Sequence, residues 1–124
     1  MWLFTRYGFY SVASARTPNG AIDPSKVMVR ARRAAHLKNL QARFPALAEE
    51  KIVALPNRDY RWRLFVPKDE WVGIVAEMAE EQDWSNFKNE AARYQGAADG
   101  GYVQALHAVW SVMSRLQDDE EVRG

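Results

Sequence analysis

Apolar and polar positions recur every second residue in some stretches of this chain and every third or fourth in others, the periods of strands and of helices. The opening run 1–13, MWLFTRYGFYSVA, has the first period. Trp2, Phe4, Arg6, Gly8, Tyr10 and Val12 fall on one side, and Leu3, Thr5, Tyr7, Phe9, Ser11 and Ala13 on the other. Neither side is polar throughout, which predicts a central strand covered on both faces. Gly8 interrupts the run, and a bulge there would switch the parity and bring Phe9 to the side of Trp2 and Phe4.

Residues 14–26, SARTPNGAIDPSK, are rich in turn formers and read as a linker. Val27, Val29 and Ala31 then alternate with Met28, Arg30 and Arg32, a half-buried strand. Past Arg33 the period lengthens, and Leu37, Leu40 and Phe44 share a helix face that Pro45 ends. Lys51 to Leu55 predicts a brief strand and residues 56–59, PNRD, a turn. The clearest alternation follows, with Tyr60, Trp62, Leu64 and Val66 opposing Arg61, Arg63 and Phe65. Strand, turn and strand at this spacing predict an antiparallel hairpin. A helix opens at Pro67 with Asp69 and Glu70 in its first turn, where acids suit the dipole, and carries Trp71, Ile74, Val75 and Met78 as a stripe. Asp83 or Ser85 caps a further helix to Tyr94. Residues 96–101 form a flexible break. A last helix from about Tyr102 to Leu116 presents Leu106, Val109, Trp110, Met113 and Leu116.

The element order is β-β-α-β-β-α-α-α, which predicts an α+β fold. The expected architecture is a single domain over 1–117, a four-stranded, mainly antiparallel sheet with helices on one face, loosely ferredoxin-like. Residues 118–124 read as a disordered acidic tail. Trp2, Phe4, Val29, Trp62, Leu64, Trp71, Ile74, Val75, Phe87, Leu106 and Trp110 are expected to share one core.

Composition narrows the chemistry. A hydrophobic fraction of 48% in 124 residues, with five each of Trp, Tyr and Phe, argues against disorder. The absence of cysteine excludes disulfides, thiolate metal sites and a cysteine nucleophile. No stretch reads as a signal peptide or a membrane span, so a soluble cytoplasmic protein without membrane contact is expected. Fifteen aromatics exceed what one small core covers, which predicts a homodimer.

The net charge of +1 hides a split. Residues 1–67 hold 12 Lys/Arg against 4 Asp/Glu, and residues 68–124 hold 5 against 12. Within the basic half, Arg30 and Arg32 share one side of a strand, and Arg61 and Arg63 share one side of another. With Phe65, and Tyr7 as a further ring, they predict a basic sheet face on the side away from the helices. Cations interleaved with rings suit phosphates and stacked bases. The expected function is therefore a small non-enzymatic binding module that engages nucleic acid through Arg30, Arg32, Arg61, Arg63 and Phe65. The alternative is an adaptor or inhibitor, of a kind carried on mobile elements, that meets a complementary surface such as an acidic protein. The competing structural reading is an ordinary solvated sheet face, or arginines paired with the acidic C-terminal helices.

Other constellations are thinner. His36, at a helix start, reads as a surface residue. His107 reads as a partly buried helix residue, and an enzyme would need it to converge with Lys88 and Asp59. Glu77 and Glu81, one helical turn apart, read as a solvated face. The glycines of 96–101 follow a helix and lack phosphate-loop spacing. No catalytic residue, metal or cofactor is assigned.

The W-L-F-T-x-x-G-F-Y-S-V of residues 2–12, the V-R-A-R of 29–32, the D-Y-x-W-R of 59–63, the N-F-K of 86–88 and the H-x-V-W-S-V-M of 107–113 resemble a family of short uncharacterised bacterial proteins. The resemblance spans nearly the whole chain. It implies one complete domain and brings with it no activity, ligand or partner.

Overall fold

Thr5 and Gly8 turn the opening run back on itself. In the computed structural model, which describes residues 1–123, the run forms a hairpin of β1 (Trp2–Thr5) and β2 (Gly8–Arg16) in place of one strand. Thr5 Oγ1 closes the turn, donating to the Gly8 carbonyl at 2.8 Å and accepting from the Tyr7 and Gly8 N–H groups at 3.1 Å. A Cβ at Gly8 would lie 2.3 Å from the His36 ring, so this close approach needs glycine. His36 is accordingly buried and not on the surface. Its Nδ1 accepts the Phe9 N–H at 3.3 Å, and its carbonyl accepts the Tyr10 hydroxyl at 2.6 Å.

The segment 14–26 is not a linker either. It completes β2, turns over Thr17 to Ala21 and begins β3 (Ile22–Ala31). Gly20 takes φ +85° in that turn. The register shifts between Ser14 and Ala15, and the residues of β3 left out of the ladder there include Pro24, which has no N–H to give it.

α1 (Ala34–Arg43), a 3-10 turn at Pro45–Leu47, β4 (Val53–Ala54), β5 (Trp62–Pro67) and α2 (Lys68–Glu80) follow. The sheet is open, five-stranded and antiparallel at every pairing, in the order β1-β2-β3-β5-β4. The α+β class and the antiparallel sheet match expectation. The strand count is five where four were expected, because the first run is two strands. The order βββαββα fits the ferredoxin-like βαββαβ only roughly.

α1 and α2 pack on one face of this sheet. Tyr10, Val12, Val27, Val29, Ala31, Leu64 and Val66 meet Leu37, Leu40, Phe44, Leu47, Trp71 and Ile74 there, with Trp62 and Val75 packed at the margin. Trp2 and Phe4, expected in this core, are absent from it. Trp2 is 68% exposed.

The chain divides into two compact units, Met1–Asp83 and Trp84–Gly124. The second unit holds α3 (Phe87–Gln95) and α4 (Gly100–Arg123), which pack on each other. The cap of α3 is neither Asp83 nor Ser85 but Asn86, whose Oδ1 accepts the Asn89 N–H at 2.9 Å. Asp99 Oδ1 accepts the Tyr102 N–H at 3.0 Å at the start of α4. α4 carries on through residues 118–123 of the segment read as a tail, whose last residue, Gly124, lies outside the described residues. Leu106 is buried in this unit, but Trp110 is 59% exposed, and Met113 and Leu116 are exposed with it. Among the described residues, no helix is long and apolar enough to cross a membrane.

Candidate functional site

The alternation that buries Val29 and Ala31 of β3, and Leu64 and Val66 of β5, under the helices sends the intervening residues to the opposite face. Cross-strand register then brings them together. Met28 pairs with Phe65, and Arg30 pairs with Arg63. On the other side of β3, Arg30 pairs with Ser11, which pairs in turn with Trp2. One row across the sheet thus reads Trp2, Ser11, Arg30, Arg63.

Two like charges directly opposite one another are unfavourable. Neutral groups absorb part of that cost. Arg30 donates from Nε to the Ser11 carbonyl at 3.2 Å and from Nη2 to Ser11 Oγ at 2.8 Å. Arg63 donates from Nη2 to the Tyr60 carbonyl at 3.1 Å, and its Nη1 lies 3.6 Å from Met28 Sδ. The Tyr60 ring lies beneath two cations, 5.0 Å from Arg30 Cζ and 4.3 Å from Arg32 Cζ. Phe9 stands 6.4 Å from Tyr60, stacks on Phe4 at 4.6 Å and meets Trp2 edge-on at 5.7 Å.

The charge itself is left unbalanced. Arg63 is only 9% exposed, and among the described residues no carboxylate is within ion-pair reach of Arg30 or Arg63. Arg63 Nε is buried without a hydrogen-bond partner. Burial pushes the Arg63 guanidinium below its ordinary value, and repulsion from Arg30 and Arg58 adds to that. A buried cation with a free donor and no counterion is complementary to an anion.

The expected site residues are placed unevenly. Arg30 and Arg63 face each other, and Phe65 lies two residues beyond Arg63 on the same side of β5. Arg32 joins through Tyr60 and also bonds Asp59 at 3.3 Å. Arg61 precedes β5 and is exposed, with no side-chain contact to the group. Tyr7 is not on this face: it is buried in the helix-covered core, with its ring edge-on to Phe44. Tyr60, read from alternation as a core-facing residue, lies among the arginines. Trp2, Phe4, Phe9, Ser11 and Tyr60 are the parts that sequence reasoning missed. The proposed bulge at Gly8 did put Phe9 with Trp2 and Phe4, and the hairpin achieves that same grouping.

The pairing of arginines with acids is real elsewhere in the first unit. Arg6 Nη2 lies 3.3 Å from Glu81 and Arg43 Nη2 lies 2.8 Å from it, while the Tyr7 hydroxyl donates to the same carboxylate. Glu81 is thus a structural clamp where a solvated face was expected.

In the second unit, Lys88 Nζ lies 3.3 Å from His107 Nδ1 and 4.6 Å from the Trp110 ring centre. Lys88 and His107 border a shallow groove of about 490 Å3 with Asn89 and Val103. His107 is exposed, not half-buried, and the third residue an enzyme would need, Asp59, is engaged by Arg32 in the first unit. Among the described residues, no group of three or more His, Asp or Glu is placed to hold a metal ion.

Fold and site together define an α+β protein whose antiparallel sheet carries helices on one face and, on the other, uncompensated guanidinium groups set among aromatic rings. No family model, curated protein or solved structure matches the chain.

Proposed function

We propose that the first unit is a binding module that engages single-stranded nucleic acid on the sheet face opposite α1 and α2. The observation that carries this reading is Arg63, nearly buried beside Arg30, with a free Nε and no carboxylate partner. A phosphate supplies the missing counterion. The rings support the same reading. Trp2 is exposed at the end of the row that contains Arg30 and Arg63, and an exposed ring beside a cation offers a base its stacking surface. Arg32, half-exposed over Tyr60, adds charge for a second phosphate. Binding is by charge and stacking, so it tolerates sequence and depends on salt.

The test is a titration with a labelled single-stranded oligonucleotide at two salt concentrations. Wild type binds at low salt and weakens as salt rises. Arg63→Met lowers affinity at least tenfold. Trp2→Ala costs about 1–3 kcal/mol of binding, the usual worth of one stacked base. Arg61→Ala, outside the group, changes affinity less than threefold. Equal binding by wild type and Arg63→Met, with both folded by circular dichroism, removes the site. Absence of binding at low salt removes nucleic acid altogether, and an acidic protein surface becomes the ligand to test.

A further inference from the structure

We infer that the Arg30–Arg63 pair takes a terminal phosphate monoester, so that the face captures a phosphorylated strand end in preference to the interior of a strand. This rests on the nucleic-acid reading above and adds the chemical form of the ligand. The first argument is charge. Two guanidiniums paired across neighbouring strands carry two positive charges with no carboxylate against them. An internal phosphodiester brings one negative charge, whereas a phosphate monoester brings about −1.5 to −2 and three terminal oxygens. The monoester is the better match for the charge left over.

The second argument is access. An internal phosphate is bonded to chain on two sides, so it needs a site open on both. Arg63 is 91% covered, with Met28, Tyr60 and Phe65 as its neighbours, and its unpartnered Nε lies inside that cover. A group with a single covalent attachment reaches such a donor by inserting. The third argument is where the attached nucleoside would go. Trp2 and Arg30 stand two strands apart in one row, a separation of about 10 Å between backbones that their long side chains shorten from both ends. A terminal phosphate held at the arginines therefore leaves its own base within reach of the exposed Trp2 ring.

Three versions of one short single-stranded oligonucleotide, ending in a 5′-phosphate, a 3′-phosphate or hydroxyls only, distinguish the outcomes when bound to the intact chain and read by anisotropy. The expected result is at least tenfold tighter binding of one phosphorylated form than of the hydroxyl-ended form. The better of the two ends identifies the source of the monoester. In Arg63→Met, verified as folded, that preference falls to within twofold. If wild type binds hydroxyl-ended and phosphorylated forms within twofold of each other, the terminal-phosphate inference is wrong and the nucleic-acid reading stands. If none of the three binds at low salt, both fall. An end preference that survives intact in Arg63→Met also overturns the inference, because the monoester would then be held elsewhere.

Discussion

Arg6 and Arg43 meet a carboxylate, whereas Arg30 and Arg63 meet each other. In the first setting Glu81 takes both guanidiniums and the Tyr7 hydroxyl, and its hydrogen bond holds Arg43 above its ordinary pKa. In the second, carbonyls, a hydroxyl and a ring satisfy some of the donors and leave the charge. The first arrangement meets its guanidiniums with a carboxylate from within the fold, and the second finds a counterion only if one is added. Counting basic residues cannot distinguish them, since both draw on the same excess of arginine in residues 1–67.

Substitutions that exchange the two settings sharpen the contrast. The largest effect is expected for Glu81→Ala, which removes the carboxylate shared by a half-buried Arg6, Arg43 and the Tyr7 hydroxyl. It should lower stability by about 2–4 kcal/mol, as removing one partner of a partly buried charge cluster does. A urea midpoint that gives a loss below about 0.5 kcal/mol would reduce the cluster to an ordinary surface ion pair.

Arg63→Met should have the opposite sign. Replacing an uncompensated buried cation by an apolar side chain removes desolvation and repulsion, at the expense of the bond to the Tyr60 carbonyl. A gain of up to about 1 kcal/mol is expected alongside the loss of anion binding. A marked loss of stability in the same urea titration would show that Arg63 is a structural residue and dissolve the comparison.

The smallest effect concerns Tyr7. Burial raises its pKa, and the hydrogen bond to Glu81 raises it further. An unfolded tyrosine sheds its proton near pH 10, while the folded one still holds it. The unfolded state therefore binds fewer protons above that pH, and stability falls as pH rises from about 10 toward the folded value. Tyr7→Phe should flatten that fall by less than about 1 kcal/mol. Identical alkaline unfolding curves for the two proteins would place the titration elsewhere.

Legibility in the sequence followed the length of regular structure. β3 and β5 alternate cleanly, so the sequence alone puts Val29, Leu64, Arg30 and Arg63 on their correct sides. The stripes of α1 and α2 were equally plain. Parity fails where a strand stops. Tyr60 lies before β5 begins at Trp62, so its place in the alternation predicted the wrong side, and Arg61 inherited a membership it does not have. The first hairpin was hidden because its turn is Arg6–Tyr7, residues without turn character. What makes the turn work is Thr5 Oγ1 and the space that Gly8 leaves for His36. A bulge at Gly8 groups Trp2, Phe4 and Phe9 as the hairpin does, but without that turn the sequence puts Trp2 and Phe4 in the core and not on the face away from the helices. α4 misled for another reason: an apolar stripe shows which face a helix would bury, not whether anything covers it.

The strand order also implies an order of events when the chain folds. β1, β2 and β3 are successive antiparallel neighbours, whereas Met28 and Arg63, which touch across β3 and β5, are 35 positions apart with α1 in between. Closing that larger loop costs more chain entropy, so the pairing that creates the arginine face belongs late on the route. Two positive charges approach as it closes. Refolding of Arg63→Met in stopped-flow should accordingly be a few-fold faster than wild type, on the folding arm of the chevron. An unchanged folding arm would mean that the guanidiniums meet only after the barrier has been crossed.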